Sequence, residues 1–224
     1  MGSMYERLLQ LPLFQGLTLD DLTHVLGKVK FHFEQYKPGE TIKSEGDDNK
    51  RLCFILDGEL SKTTRVHGTM PFSVQEFVSG PYTFELATLF GKHTIFRSTY
   101  QAESEIGVIF MHKRFLSDEL QLFDVIHLNY RNQMCAQIQE LESRLWSLPP
   151  SNPMGRIVSF MLQHVEQPIG RKIFHLSKNH LANYVNESFS QTSLALKTLQ
   201  QQGLLSYDRG VITIPAIEKL SEIV

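Results

Sequence analysis

Few residues of this chain have the types and spacing that chemistry needs. Its two cysteines, Cys53 and Cys135, are too few for a disulfide framework, a four-cysteine iron–sulfur site or a Cys-only zinc site. No histidine or cysteine stands out as a haem axial ligand. There is no G-x-S-x-G elbow, P-loop, metal-ligand spacing or Cys/His nucleophile signature. The paired carboxylates Asp20-Asp21 and Asp47-Asp48 fall at a helix start and in a turn, as cap and turn residues. The chain is expected to bind rather than to catalyse, and its residues name no cofactor and no metal.

A second group of side chains suits recognition. Ser188, Phe189, Ser190, Gln191 and Ser193 open a helical pattern, with Lys178, Lys197 and Arg209 around it. Gln bonds adenine along two edges, and an aromatic ring contacts a thymine methyl. Ser188 and Ser190 suit phosphate or base edges. Each lysine or arginine that meets a phosphate adds roughly one unit of salt slope.

Such residues read a duplex only if an element holds them at a groove. Pro153 sits at a helix start, and Ile157, Phe160, Met161, Leu162 and Val165 give that helix an apolar face. Lys172–Leu176 reads as a short strand. Ser177 caps a helix carrying Leu181, Ala182, Tyr184 and Val185. Asn186 tolerates the left-handed turn that ends it. Ser188 and Gln191 form a capping-box pattern for a second helix, which runs to about Gln202 and buries Ala195, Leu196 and Leu199. Thr192 stands where a buried aliphatic is usual and is expected to be partly buried. Gly203 closes the helix. Leu204–Tyr207 and Val211–Ile214 then read as strands joined by Asp208-Arg209-Gly210, with a last helix in 215–224. Helix, turn, helix and wing make a winged helix-turn-helix, whose second helix places its first turn in the major groove of double-stranded DNA.

The rest of the chain must carry this unit. Its 224 residues suit one or two domains, and the composition, 42% apolar and 21% charged, is that of a globular protein. No apolar run reaches the roughly 18 residues of a membrane span, and no signal peptide opens the chain. A protein of a reducing, cytoplasmic compartment is expected. Met1-Gly2-Ser3 reads as an added leader, with Met4 as the natural start. The net charge of −2 hides an asymmetry. Residues 1–150 hold 15 Lys/Arg against 19 Asp/Glu, and residues 151–224 hold 7 against 5. Pro149, Pro150 and Pro153 mark the break.

Before the break, two short helices are expected at Tyr5–Leu11 and Leu19–Leu26, the second capped by Thr18. Short strands follow at Val29–Glu34, Leu52–Leu56, Phe72–Val78, Ile95–Ala102 and Gly107–Met111. Turns lie at Lys37-Pro38-Gly39-Glu40 and Glu45-Gly46-Asp47-Asp48, and Asp57-Gly58 gives a hairpin signal. This spacing suits a sandwich or barrel. A long helix then spans about Leu120 to Leu148. Its apolar positions Phe123, Ile126, Tyr130, Met134, Ile138, Leu141, Leu145 and Leu148 step by three and four, near the seam of a coiled coil. Phe123 and Ile126 suit the chain's own barrel. Tyr130, Met134, Ile138, Leu141 and Leu145 suit a dimer interface with a second copy.

Three segments carry a resemblance. Tyr36-Lys37-Pro38-Gly39-Glu40-Thr41-Ile42, Glu45-Gly46-Asp47 and Leu52 through Leu60 resemble the cyclic-nucleotide-binding jelly roll. With Pro12-Leu13-Phe14-Gln15-Gly16-Leu17 and the helix-turn-helix, the layout from about residue 5 onward is similar to the CRP/FNR family of bacterial transcription regulators. The resemblance implies an α+β fold in three parts: an effector domain at 4–118, a dimerisation helix at 119–148 and a DNA-binding domain at 149–224. It implies a homodimer that binds double-stranded DNA, senses a small-molecule effector and has RNA polymerase as a candidate partner, with no membrane and no catalysis. The alternative is a cyclic-nucleotide-binding module whose C-terminal domain binds protein.

The family's phosphate cassette is a Gly-Glu-Leu segment followed by an Arg-Ser pair. By resemblance the effector-binding residues are Phe84, Glu85, Leu86, Arg97 and Ser98, with Leu141 on the adenine side. Phe84 replaces the glycine that lets backbone approach a phosphate, either filling that site or twisting its loop away. Leu141-Glu142 replaces the hydroxyl pair that meets the base. An effector other than cyclic AMP is therefore expected. In the reading helix, Phe189 and Leu194 stand at the positions of the family's guanine-reading arginines, so the operator should differ.

Overall fold

The computed structural model describes residues 4–119 and 124–223. Leu120 and Phe123, expected to open the long helix, lie outside the described residues, as do residues 1–3. The chain divides into two compact units, one of residues 1–60 and 78–145, the other of residues 61–77 and 146–224.

In the first unit, α1 (Met4–Leu8) and α2 (Leu19–Lys28) precede the strands. Thr18 caps α2 through a reciprocal box: Asp21 N–H donates to Thr18 Oγ1 at 3.1 Å, and Thr18 N–H donates to Asp21 Oδ2 at 3.0 Å. One sheet runs β1 (Phe31–Tyr36), β8 (Ile106–His112), β3 (Arg51–Ile55), β6 (Tyr82–Thr83), and β2 (Thr41–Lys43) pairs with β7 (Ser98–Ala102). All these pairs are antiparallel, as a jelly roll requires. Asp57-Gly58 is a corner rather than a hairpin turn. β3 pairs with β6 and β8 and not with the strand that follows it. Gly58 has φ +81°, and a Cβ there would meet Ser104 Oγ at 2.9 Å, so a side chain is excluded.

α3 (Asp124–Leu145) ends three residues short of Leu148. Its first half packs on its own unit. Ile126 is buried, Tyr130 and Met134 lean on the same core, and Asn129 donates to the Leu13 and Gln15 carbonyls. From Ile138 on, its apolar side chains face solvent: Ile138 is 55%, Leu141 64% and Leu145 75% exposed.

In the second unit, α4 (Pro153–Gln163), α5 (Lys178–Tyr184) and α6 (Phe189–Gln201) pack with β9 (Lys172–His175), β10 (Ser206–Asp208), β11 (Val211–Ile214) and α7 (Glu218–Ser221). The sheet order β10-β11-β9 continues into β5 (Phe72–Ser79) and then β4 (Glu59–Val66). Residues 61–77, the distal part of β4 and β5, thus belong to this unit. Ser73–Glu76 pair with His175–Lys172. Phe72 and Val74 enter the core, and Phe72 lies 5.1–5.5 Å from the Phe160, His164 and Tyr184 rings. Tyr184 O–H donates to the Met70 carbonyl at 2.6 Å. Among the described residues no helix is long and apolar enough to cross a membrane.

Candidate functional site

The residues expected to bind an effector lie in the first unit, and several of them pack and hydrogen-bond with one another. Phe84 is buried and stacks on Tyr100, with ring centroids 4.5 Å apart and planes 13° from parallel. Leu86 and Ser98 are buried as well, whereas the Arg97 side chain is exposed. The Glu85 carboxylate points inward. It accepts from the Arg97 N–H at 2.7 Å, the Ser98 N–H at 2.8 Å and the Tyr100 hydroxyl at 3.3 Å. Thr88 Oγ1 lies 3.4 Å from the same carboxylate, and Asn49 Nδ2 donates to the Glu85 carbonyl at 3.1 Å. Two successive backbone N–H groups, one on each carboxylate oxygen, form an anion seat. The protein's own carboxylate sits in it. By residue type Glu85 suits a nucleotide-facing position or a helix cap; its side chain makes no cap bond. Tyr100, Thr88 and Asn49 carry no sequence signal, because they meet Glu85 only through strand pairing and loop packing. Leu141 lies on the exposed half of α3.

Elsewhere in the first unit, burial pushes the Cys53 thiol up to about 12, far from the range of a reactive thiolate. Cys135 is exposed on α3.

The second unit builds a reading head. Ser177 caps α5 by accepting from His180 N–H at 3.2 Å. Asn186 takes φ +52°, the left-handed conformation the turn demands. Glu187 N–H donates to the Ala182 carbonyl at 2.9 Å, and Ser188 caps α6 by accepting from Gln191 N–H at 3.2 Å. Arg156 ties the turn to α4, with its guanidinium 3.1 Å from Glu187. Thr192, Ala195, Leu196 and Leu199 bury one side of α6. Thr192 is fully buried, not partly, and its hydroxyl has no hydrogen-bond partner among the described residues. Ser188, Phe189, Ser190, Gln191 and Lys197 are exposed, and Ser193 is half-buried. The wing turns at Arg209, φ +44°, and Gly210, whose N–H donates to Tyr207 Oη at 3.1 Å. Lys178 Nζ sits 4.5 Å from the Tyr207 ring centroid. A groove of about 500 Å³ runs past Lys178, Ser193, Lys197, Gln200 and Tyr207. Sequence does not point to Tyr207 as part of this site; a cation–π contact between residues 178 and 207 leaves no local pattern.

Residues 155–223 match the Crp-like helix-turn-helix domain family. The second unit carries a Crp-like helix-turn-helix domain. An antiparallel β unit and α3 precede it in the chain. Solved structures of similar layout include the catabolite activator protein of Thermus thermophilus, 16% identical with a TM-score of 0.48, covering 95% of this chain and 97% of that one. FixK2 of Bradyrhizobium japonicum is 14% identical with a TM-score of 0.46, over 86% and 96% of the two chains. DNR of Pseudomonas aeruginosa is 18% identical with a TM-score of 0.44, over the whole of both chains. No curated protein matches this sequence.

The second unit also holds a buried charge cluster that the sequence did not announce. Glu76 and Lys172 are both buried, with Lys172 Nζ 3.4 Å from Glu76 Oε2. Lys62 Nζ lies 3.9 Å from Glu76 and pairs with Glu166. Glu76 also accepts from Glu166 N–H at 3.1 Å and Gln167 N–H at 3.2 Å. Burial holds the Lys172 ammonium below the ordinary lysine value, against the pull of Glu76.

Proposed function

We propose that the chain is a homodimeric, non-enzymatic DNA-binding transcription regulator in which α6 reads the major groove. Within it, 4–118 serves as effector domain, apart from the ribbon 61–77 that packs with the second unit, 119–148 as dimerisation helix and 149–224 as DNA-binding domain. The observation that supports this best is the Crp-like match over residues 155–223, with the first turn of α6 exposed and Lys178 and Lys197 lining one groove along the helix. Two reading heads on one dimer engage successive major grooves when they stand about 34–36 Å apart. An effector acts only if it prefers one arrangement of the heads over another.

The test is binding to random-sequence duplex DNA as a function of salt. Affinity that falls steeply with salt is the expected result. No binding at low salt would favour a protein partner for the C-terminal domain. Lys178→Ala and Lys197→Ala should each lower the slope of log affinity against log salt by about one unit. An unchanged slope in either variant removes that lysine from the phosphate contacts.

The effector reading rests on Glu85. Its carboxylate accepts the two N–H groups that a ligand anion would need, and Phe84 stacks where backbone would have to approach. The jelly roll therefore senses something other than cyclic AMP, or nothing. Calorimetric titration with cyclic AMP and cyclic GMP at millimolar concentration is expected to give no saturable heat. Saturable heat would mean that Glu85 and Phe84 both move aside, and would overturn this reading.

A further inference from the structure

The recognition helix carries an apolar side chain in the middle of the face it turns outward. Thr192, Ala195, Leu196 and Leu199 occupy its buried side. At 3.6 residues per turn, Leu194 falls opposite them. It is 62% exposed, with Ser190 one turn before it and Lys197 nearly one turn after. Phe189, the first residue of the helix, is 53% exposed. Two large apolar groups held in water on one short helix are unfavourable in the free protein and favour a partner with apolar groups at matching places.

The rest of the helix says which partner. From Phe189 to Gln201 there is no acid and no arginine, and Lys197 is the only formal charge. Lys178 lines a groove along the helix with Ser193 and Lys197, so the surroundings suit phosphates. The major groove presents one apolar group, the C5-methyl of thymine. Guanine is read chiefly by Arg or Lys in a bidentate pair, and adenine by Asn or Gln. Gln191 is exposed in the first turn, three residues before Leu194 and so on a neighbouring part of the outward face.

We propose that α6 selects A·T pairs in each half-site, with Leu194 and Phe189 against thymine methyls and Gln191 on an adenine edge. Base discrimination then comes from methyl contacts and one amide, not from guanine-directed cations. This rests on the DNA-binding reading above.

The experiment starts from the full-length protein and a random-sequence duplex library at low salt. Bound duplexes are sequenced, and the best is remade with deoxyuridine in place of thymine. The expected result is enrichment of A·T pairs at two symmetric sets of positions. Removal of the methyls should weaken binding about 3- to 5-fold for each one contacted, the worth of a buried methyl-sized group. Leu194→Ala should lose most of the thymine-over-uracil preference at one position of each half-site. Leu194→Gln is a second variant, and the uracil comparison on the unaltered protein needs no variant. Enrichment of G·C at these positions, or equal affinity for the thymine and uracil duplexes, overturns the inference and leaves the DNA reading standing. Failure to retain any duplex at low salt overturns both.

Discussion

Glu76→Ala should destabilise the second unit by about 3–5 kcal/mol, the cost of stranding a buried charge. The carboxylate is 3.4 Å from Lys172 Nζ and accepts two backbone N–H groups. Its removal leaves a buried ammonium and two unpaired donors where β5 meets β9. Hydrogen exchange of the β9 amides reads the loss within the unit itself, and denaturant titration reads it globally. A change under about 1 kcal/mol would show that the cluster is solvated. Glu76→Leu with Lys172→Met removes both charges together and should recover a large part of the loss. Lys172 adds a pH dependence of defined sign. Burial lowers its folded-state value below 10.5, so between that lowered value and 10.5 the unfolded chain binds more protons. Its contribution to stability therefore rises with pH through that alkaline window and is level above it. Lys172→Met should abolish that rise.

The second large effect concerns α3. Ile138→Lys with Leu145→Lys should convert the proposed homodimer to a monomer and weaken DNA binding at least about 100-fold, since the two half-sites then act independently. Both side chains are more than half exposed in the single chain, so the folded first unit should survive the change. Sedimentation gives the mass, and fluorescence anisotropy gives the affinity. A variant that remains dimeric would move the interface off this seam. Tyr130 and Met134 are less suitable targets, because both also pack on their own unit's core and their loss would mix folding with association.

What the sequence made legible was local. Thr18 with Asp21, Ser177, Asn186, Ser188 and Gly203 each act through residues one to five positions away, and each takes the cap or turn its type favours. The helix-turn-helix is a string of such signals, and its helices, caps and turn were readable, although Ser188 caps α6 without the reciprocal Gln191 bond. β1, β3, β5, β7 and β8 were readable as strands, with ends shifted by a residue or two for β1, β3 and β8 and by three at the start of β7, whereas β4 and β6 were not read. Partners distant in the chain were not readable. Asp57-Gly58 has hairpin chemistry, yet β3 takes its neighbours from β6 and β8. Phe84 is visibly out of place in its motif, but its stacking on Tyr100 depends on packing sixteen residues on. Thr192 is wholly buried because its neighbours close over it, which residue type does not disclose. The Glu76–Lys172 pair looks like two ordinary strand charges, since β5 reads as an isolated alternating strand until β9 is laid beside it.

The membership of residues 61–77 in the second unit has a consequence for the order of synthesis. Lys62 meets Glu166 across 104 residues, and Tyr184 meets Met70 across 114. A ribosome adding about 5–20 residues per second releases this ribbon roughly 5–20 s before its partners exist. During that interval Phe72 and Val74 are uncovered and the far edge of β5 is an open template for other strands. Nascent chains of this protein thus have a vulnerable period set by translation speed, and it closes only when the last quarter of the polypeptide emerges.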